Sequence, residues 1–276
     1  MKESPLNKMF SLEGKTVVLT GAGGTLAGEM AITAAQCGAR TALLDLSEDS
    51  AVRIAKSIRG KGGETMALKC DVLERKSLEV CREKVLEQFG KIDCLVNGAG
   101  GNRAEATTSD ELSFFDIPTD IHRQVLDLNF TGTLLPCQVF GREIANQKKG
   151  SIVNIASISG FRPLTRAAAY AAGKAAVINF TRWLAVHFCQ HYSTGIRVNA
   201  IAPGFFATTQ NRYLLYDGSG NLTHRGKDIL DRVPQKRFGE PSELTAAMVW
   251  LLSESASFVT GSVITIDGGF DAYSGV

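Results

Sequence analysis

The sequence has no long apolar run. No stretch approaches the roughly 20 consecutive residues that a helix needs to cross a bilayer, so no membrane partner is expected. The first fourteen residues, MKESPLNKMFSLEG, lack the apolar core of a secretory signal, which points to a cytoplasmic protein. There is no CxxC pair. Cys37, Cys70, Cys81, Cys94, Cys137 and Cys189 stand apart, as reduced thiols acting as small apolar residues would. There is also no excess of one charge. Lys and Arg number 30 and Asp and Glu 28, a formal net charge of +2, so nucleic acid is not called for as a partner. Histidine is scarce, with four residues. His187 and His191 stand four apart on one helical face but lack the glutamate of a zinc-protease helix, and no metal is expected. Linkers, repeats and low-complexity tracts are missing too, so residues 1–276 read as one domain.

What is present is a regular alternation. Short runs rich in Val, Ile and Leu at 15–20, 41–44, 65–70, 92–96, 151–155, 196–201 and 262–266 read as strands. Longer helical patterns at 26–37, 48–59, 73–89, 120–146, 167–190 and 242–252 separate them. The strand runs do not alternate with polar residues, as expected when helices cover both faces of a sheet. The expectation is an α/β fold: a single doubly wound Rossmann-type domain with a seven-stranded parallel sheet. Residues 205–237 look irregular and are expected to form a substrate lobe.

The first strand runs directly into Thr20-Gly21-Ala22-Gly23-Gly24-Thr25-Leu26-Ala27-Gly28. A glycine-rich turn that opens a helix lets backbone N–H groups approach a pyrophosphate. Asp45 ends the second strand about 20 residues later, where a carboxylate accepts hydrogen bonds from a ribose diol and repels a 2′-phosphate. No Arg or Lys stands in the turn or just after Asp45 to hold that phosphate, so the pattern favours NAD over NADP.

Tyr170 and Lys174 lie four apart on one helix face. A free tyrosine, with a pKa of about 10, is a poor base at neutral pH, and a fixed ammonium nearby favours the phenolate. Ser157, thirteen residues before the tyrosine and just past a strand, offers a hydroxyl to the same substrate oxygen.

These motifs, with Asp71-Val72, Asn97-Gly98-Ala99-Gly100, Asn129 and Pro203-Gly204 in the same order, resemble the short-chain dehydrogenase/reductase family over nearly the whole chain. The resemblance implies that Tyr170 is the general acid/base and that Ser157 polarises the carbonyl. Lys174 would bind the nicotinamide ribose and lower the tyrosine pKa, and Asn129 would hold a water in a proton relay. It implies NAD contacts at Gly21, Gly23, Thr25, Leu26, Asp45 and Leu46, and adenine contacts at Asp71 and Val72. Asn97 and Ala99 would stand beside the cofactor, and Pro203, Gly204, Phe206 and Thr208 would meet the nicotinamide amide. One departure is visible: Thr25 and Ala27 replace two glycines of the usual TGxxxGxG turn. The resemblance also implies a homotetramer, or otherwise a dimer, built from the two long helices and the last strand. The tail at 269–276 would pack at a neighbouring subunit's site or fray.

The family sets the reaction and leaves the substrate open. Arg162 and Arg166 between Ser157 and Tyr170, Asn102-Arg103 after the fourth strand, and Gln210-Asn211-Arg212 suit a carboxylate and a polyol chain. Asn102, Arg162 and Asn211 are the candidate substrate contacts. The phrases NGAGGN, DLNFTGTLLPCQVF, FRPLT and NAIAPGFFATTQNR resemble the D-mannonate oxidoreductase (fructuronate reductase) subgroup, which implies a sugar-acid substrate. Alternatives are another aldonate such as gluconate, a polyol, or a non-catalytic protein that senses NAD.

Overall fold

The structure, a computed structural model, describes residues 5–209 and 211–275. In chain order the elements are α1 (Pro5–Phe10), β1 (Thr16–Thr20), α2 (Thr25–Gln36), β2 (Arg40–Asp45), α3 (Glu48–Gly60), β3 (Thr65–Lys69) and α4 (Arg75–Phe89). They continue with β4 (Cys94–Asn97), α5 (Thr119–Leu126), α6 (Gly132–Gln147), β5 (Gly150–Ile155), α7 (Ala168–His191) and β6 (Ile196–Pro203). The last are α8 (Arg212–Leu215), α9 (His224–Arg232), α10 (Thr245–Leu252) and β7 (Val263–Ile266). The seven strands form one all-parallel sheet in the order β3-β2-β1-β4-β5-β6-β7. The chain is a single Rossmann-like α/β domain.

Consecutive strand residues point to opposite faces, and here both faces are covered. Val17 and Leu19 of β1 join Met30 of α2, Leu43 of β2 and Met248 of α10 in one core. Val18, between them, joins Leu95 of β4, Phe140 of α6 and Ile152 of β5 in the other. Each such buried side chain contributes about 1.5–3 kcal/mol. This two-sided burial explains why the strands carry unbroken apolar runs.

Local signals set the helix ends. The Ser47 hydroxyl accepts from Ser50 N at the start of α3, where Glu48 and Asp49 complement the positive end of the helix. Such a cap is worth about 1 kcal/mol. α4 stops at Gly90, which takes a left-handed φ of 76°.

The stretch expected as one helix over 120–146 is instead two helices joined by a π turn at Asp127–Thr131. Asn129 Nδ2 donates to the Val125 carbonyl, the Thr133 hydroxyl donates to the Asn129 carbonyl, and Pro136 has no N–H to give. Side-chain competition with the backbone ladder and one missing donor loosen the regular turn here. The irregular region after β6 holds α8 and α9, and Leu215, Ile229, Val233 and Phe238 form a small core of their own. Thr223 caps α9, accepting from Gly226 N at 3.0 Å.

Candidate active site

Parallel pairing puts the C-terminal ends of all seven strands on one edge. The strand order reverses between β1 and β4, the point at which open α/β sheets form a ligand crevice. Thr20, Asn97 and Asn154 are in register across β1, β4 and β5. The Thr20 hydroxyl accepts from Gly98 N at 3.2 Å and Ala99 N at 3.3 Å, and so holds the start of the loop after β4.

The glycine-rich turn is shaped by its neighbours. Gly21 has a φ of 65°, and a Cβ there would lie 2.8 Å from the Ala99 backbone. Only glycine allows this approach. Gly24 precedes α2 with no side-chain cap, which leaves the first N–H groups of the helix for a ligand. Asp45 Oδ2 accepts from Gly23 N at 2.9 Å, and Asp45 Oδ1 accepts from Ser47 N at 2.9 Å. The carboxylate is thus fixed against the turn, and Leu46 beside it is 65% exposed. Asp71 begins the loop after β3, where its carboxylate accepts from Leu73 N at 2.9 Å, and Val72 is buried. A helix N-terminus, a cradle that a side chain would fill and an anchored acid together fit a dinucleotide with a free ribose diol.

The second half of the crevice holds the other candidates. Ser157 follows β5, and its hydroxyl accepts from Ser159 N at 3.2 Å. Tyr170 and Lys174 lie on the first turns of α7. Burial pushes the Tyr170 phenol up, and a hydrogen bond with Ser157 pulls it the other way. Lys174 is only 4% exposed, and burial brings its ammonium down to about 8. Its Nζ donates to the Ile155 carbonyl at 2.8 Å and stands 5.7 Å from the centre of the Tyr170 ring.

Asn129 is completely buried in the π turn. Its Nδ2 donates to the Gly101 carbonyl at 2.7 Å, and its Oδ1 accepts from Gly101 N at 3.2 Å. A Cβ on Gly100 would lie 2.9 Å from Asn129 Oδ1 and 3.0 Å from Lys174 Nζ. The loop after β4 therefore passes between these two side chains because it is glycine there. Ser157, Tyr170, Lys174 and Asn129 converge at the carboxyl end of β5.

Four of the expected contact residues also make contacts within the protein. Asn97 is buried, and its Nδ2 donates to Asn154 Oδ1 at 2.8 Å, so its side chain faces the core and leaves only its backbone for the cofactor. Asn102 Nδ2 donates to the Thr107 hydroxyl at 2.9 Å and folds its own loop. Asn211 accepts from Thr208 N and donates to the Phe206 carbonyl, both at 2.8 Å, and so braces the turn after β6. Arg162 Nε is paired at 2.7 Å with Asp271 of the C-terminal tail. Of the remaining residues, the Phe206 ring is buried against Gly239, so it too offers backbone only. Pro203 ends β6, and Gly204 lies against Asp267.

Sequence reasoning missed Asn154 and Thr209. Asn154 joins Asn97 to the Thr181 hydroxyl at 2.9 Å, and Thr209 meets Thr25 from the far end of the chain. A polar residue within the apolar run of β5 signalled the first, and no local signal marked the second.

A family profile described as enoyl-(acyl carrier protein) reductase matches residues 21–271. The "Uncharacterized oxidoreductase UxuB" of Bacillus subtilis (strain 168) is 45% identical over 96% of this chain and 98% of its own. The chain belongs to the short-chain dehydrogenase/reductase family. Among solved structures, a "putative D-Mannonate oxidoreductase from Haemophilus influenza" with bound NAD superposes at a TM-score of 0.92, with 42% identity, over 98% of this chain and 100% of that one. A gluconate 5-dehydrogenase from Burkholderia cenocepacia J2315, in complex with NADP and tartrate, matches at a TM-score of 0.87 and 27% identity, over 97% of this chain and 99% of that one. This short-chain dehydrogenase/reductase is thus an oxidoreductase whose relatives include enzymes named for sugar acids. Among the described residues, no helix is long and apolar enough to cross a membrane.

Proposed function

We propose that this protein is an NAD-dependent dehydrogenase that interconverts a secondary alcohol and a ketone on a sugar acid, with D-mannonate and D-fructuronate as the pair. The observation that carries the reaction is the meeting of Ser157, Tyr170 and Lys174 beside a turn closed by Asp45. The basic residues near the site and the likeness to the Haemophilus structure support the substrate.

The bound dinucleotide supplies a hydride acceptor in oxidation and a hydride donor in reduction. In oxidation the Tyr170 phenolate takes the proton of the substrate hydroxyl, and Ser157 donates a hydrogen bond to the same oxygen. The buried Lys174 ammonium stabilises the phenolate and orients the nicotinamide ribose. Asn129 fixes the loop at Gly101 and holds a water that relays the proton from Lys174 outward. In reduction Tyr170 returns the proton as an acid. Thr25, Leu26 and the backbone from Pro203 to Thr208 hold the cofactor.

We place the enzyme in the cytoplasm, in keeping with its six free cysteines. We also place it in a homotetramer, and Trp183 and Val186 are exposed on the long helix α7 that would join subunits. The gluconate reading draws support from the Burkholderia likeness. The test is absorbance of the reduced nicotinamide with NAD or NADP and a panel of aldonates and polyols. Preference for D-mannonate with NAD supports the proposal, and faster turnover of gluconate replaces the substrate. Tight NADH binding without any turnover favours a sensing role.

A further inference from the structure

We propose that Arg166 selects an acidic substrate, its guanidinium taking the carboxylate end of a sugar acid in the cavity between residues 162–166, α9 and the C-terminal tail. The inference rests on the sugar-acid reading and assigns the charge recognition to one residue. The cavity measures about 770 Å³, a size suited to a small organic molecule. Two of the segments along its wall adjoin residues of the catalytic site in sequence. Arg166 lies four residues before Tyr170, and Phe205 directly follows Gly204.

Arg162, Arg166, His224, Arg225 and Arg232 bring basic side chains to this wall, and two of them sit in ion pairs. Arg162 is held by Asp271 at 2.7 Å, and His224 Nδ1 by Asp228 Oδ2 at 3.0 Å. Arg166 combines two features. Its electrostatic partner is Glu111, which is fully exposed, so solvent screens the attraction and a substrate carboxylate can displace it. Its backbone has a φ of 80°, in the left-handed region. A side chain is strained there, and a glycine would adopt the same conformation without that strain. The strain is held by a hydrogen bond from Thr108 N to the Arg166 carbonyl at 3.0 Å and by the buried Ala167 that follows. Packing does not account for an arginine here, because the side chain is exposed at the cavity mouth. Binding a carboxylate does, since the guanidinium fork offers two parallel hydrogen bonds.

The test compares the full-length protein with Arg166→Gly and Arg166→Lys. For each, the melting temperature and NADH affinity are measured, along with KM and kcat for D-mannonate and for a neutral six-carbon polyol. D-mannonate is also titrated calorimetrically into the NADH-loaded protein. Arg166→Gly should melt no lower than the parent, because relief of strain accompanies the loss. It should keep its NADH affinity and lose about ten- to a hundredfold in the acid-over-polyol ratio of kcat/KM, mainly through KM. Arg166→Lys should fall between the two, keeping the charge and losing the fork. An unmoved ratio in Arg166→Gly, or equal losses on acid and polyol, overturns the assignment and leaves the sugar-acid reading standing. A parent protein that neither turns over nor binds any aldonate overturns both.

Discussion

The hydroxyls of Thr25 and Thr209 meet at 3.1 Å across 184 residues of sequence. The contact ties the first residue of α2, where the glycine-rich turn ends, to the start of the lobe after β6. Asn211 holds the second partner in place by bracing the turn from Phe206 to Thr208. In the cofactor site proposed above, the two threonines would clasp opposite rims of the groove. Thr25→Val should let NADH enter and leave faster, with both rates rising about two- to tenfold, as expected from the loss of one hydrogen bond. Stopped-flow fluorescence of bound NADH measures this, and unchanged rates would show that the contact gates nothing.

Lys174 sets the pH response of the site. Its folded value of about 8 lies below its ordinary 10.5, so the folded protein gives up this proton before the unfolded chain does. The unfolded state then binds more protons between pH 8 and 10.5, and this group's contribution to stability rises with pH across that window. Lys174→Met should flatten the rise in thermal midpoint measured between pH 8 and 10. In alcohol oxidation the rising limb of kcat/KM against pH should move to higher pH in the same variant, because the phenolate has lost its cation. Tyr170→Phe should abolish turnover while retaining NADH binding.

In the NAD-dependent reading proposed above, Asp45 selects the cofactor by a fixed charge. It is bonded to Gly23 N, so it cannot swing aside for a 2′-phosphate. Asp45→Ser with Leu46→Arg removes the repulsion and supplies a phosphate partner next to it. The preference for NAD over NADP should fall by roughly a hundredfold, or about 2.7 kcal/mol. Steady-state kinetics with each cofactor measures it, and an unchanged ratio would mean that another group excludes the phosphate.

Asn154 is a structural keystone of the sheet centre. It accepts from Asn97 Nδ2 at 2.8 Å and donates to the Thr181 hydroxyl at 2.9 Å, all inside the core. Asn154→Ala leaves buried polar groups without their partner and should cost about 1–3 kcal/mol. Urea denaturation reads this directly. A loss below a few tenths of a kcal/mol would mean that buried water replaces the amide.

The strand and helix pattern was legible because two-sided burial makes each strand an apolar run and some helix ends carry a local signal. Val17 to Leu19 and the Ser47 cap are examples. Tyr170 and Lys174 were legible because their spacing on one helix is local, and the turn with Asp45 because strand–turn–helix order is local too. The break at Asn129 was not, since it depends on where an amide side chain finds partners in another loop. The engagement of Arg162 by Asp271 was not either, because 109 residues separate the pair. A charge in a sequence does not disclose which opposite charge the fold will bring to it.

The class of chemistry was written in local sequence: a turn suited to a dinucleotide, an acid placed to meet a ribose, and a hydroxyl, phenol and ammonium in order. These are fixed by short-range spacing, which backbone geometry converts directly into position. What emerges only on folding is how the basic and amide residues are engaged. Asn102, Asn211 and Arg162 make internal contacts, and Arg166 is held in a strained conformation at the cavity wall. That engagement depends on long-range packing and on competition among hydrogen-bond partners, and both exist only once the chain has folded.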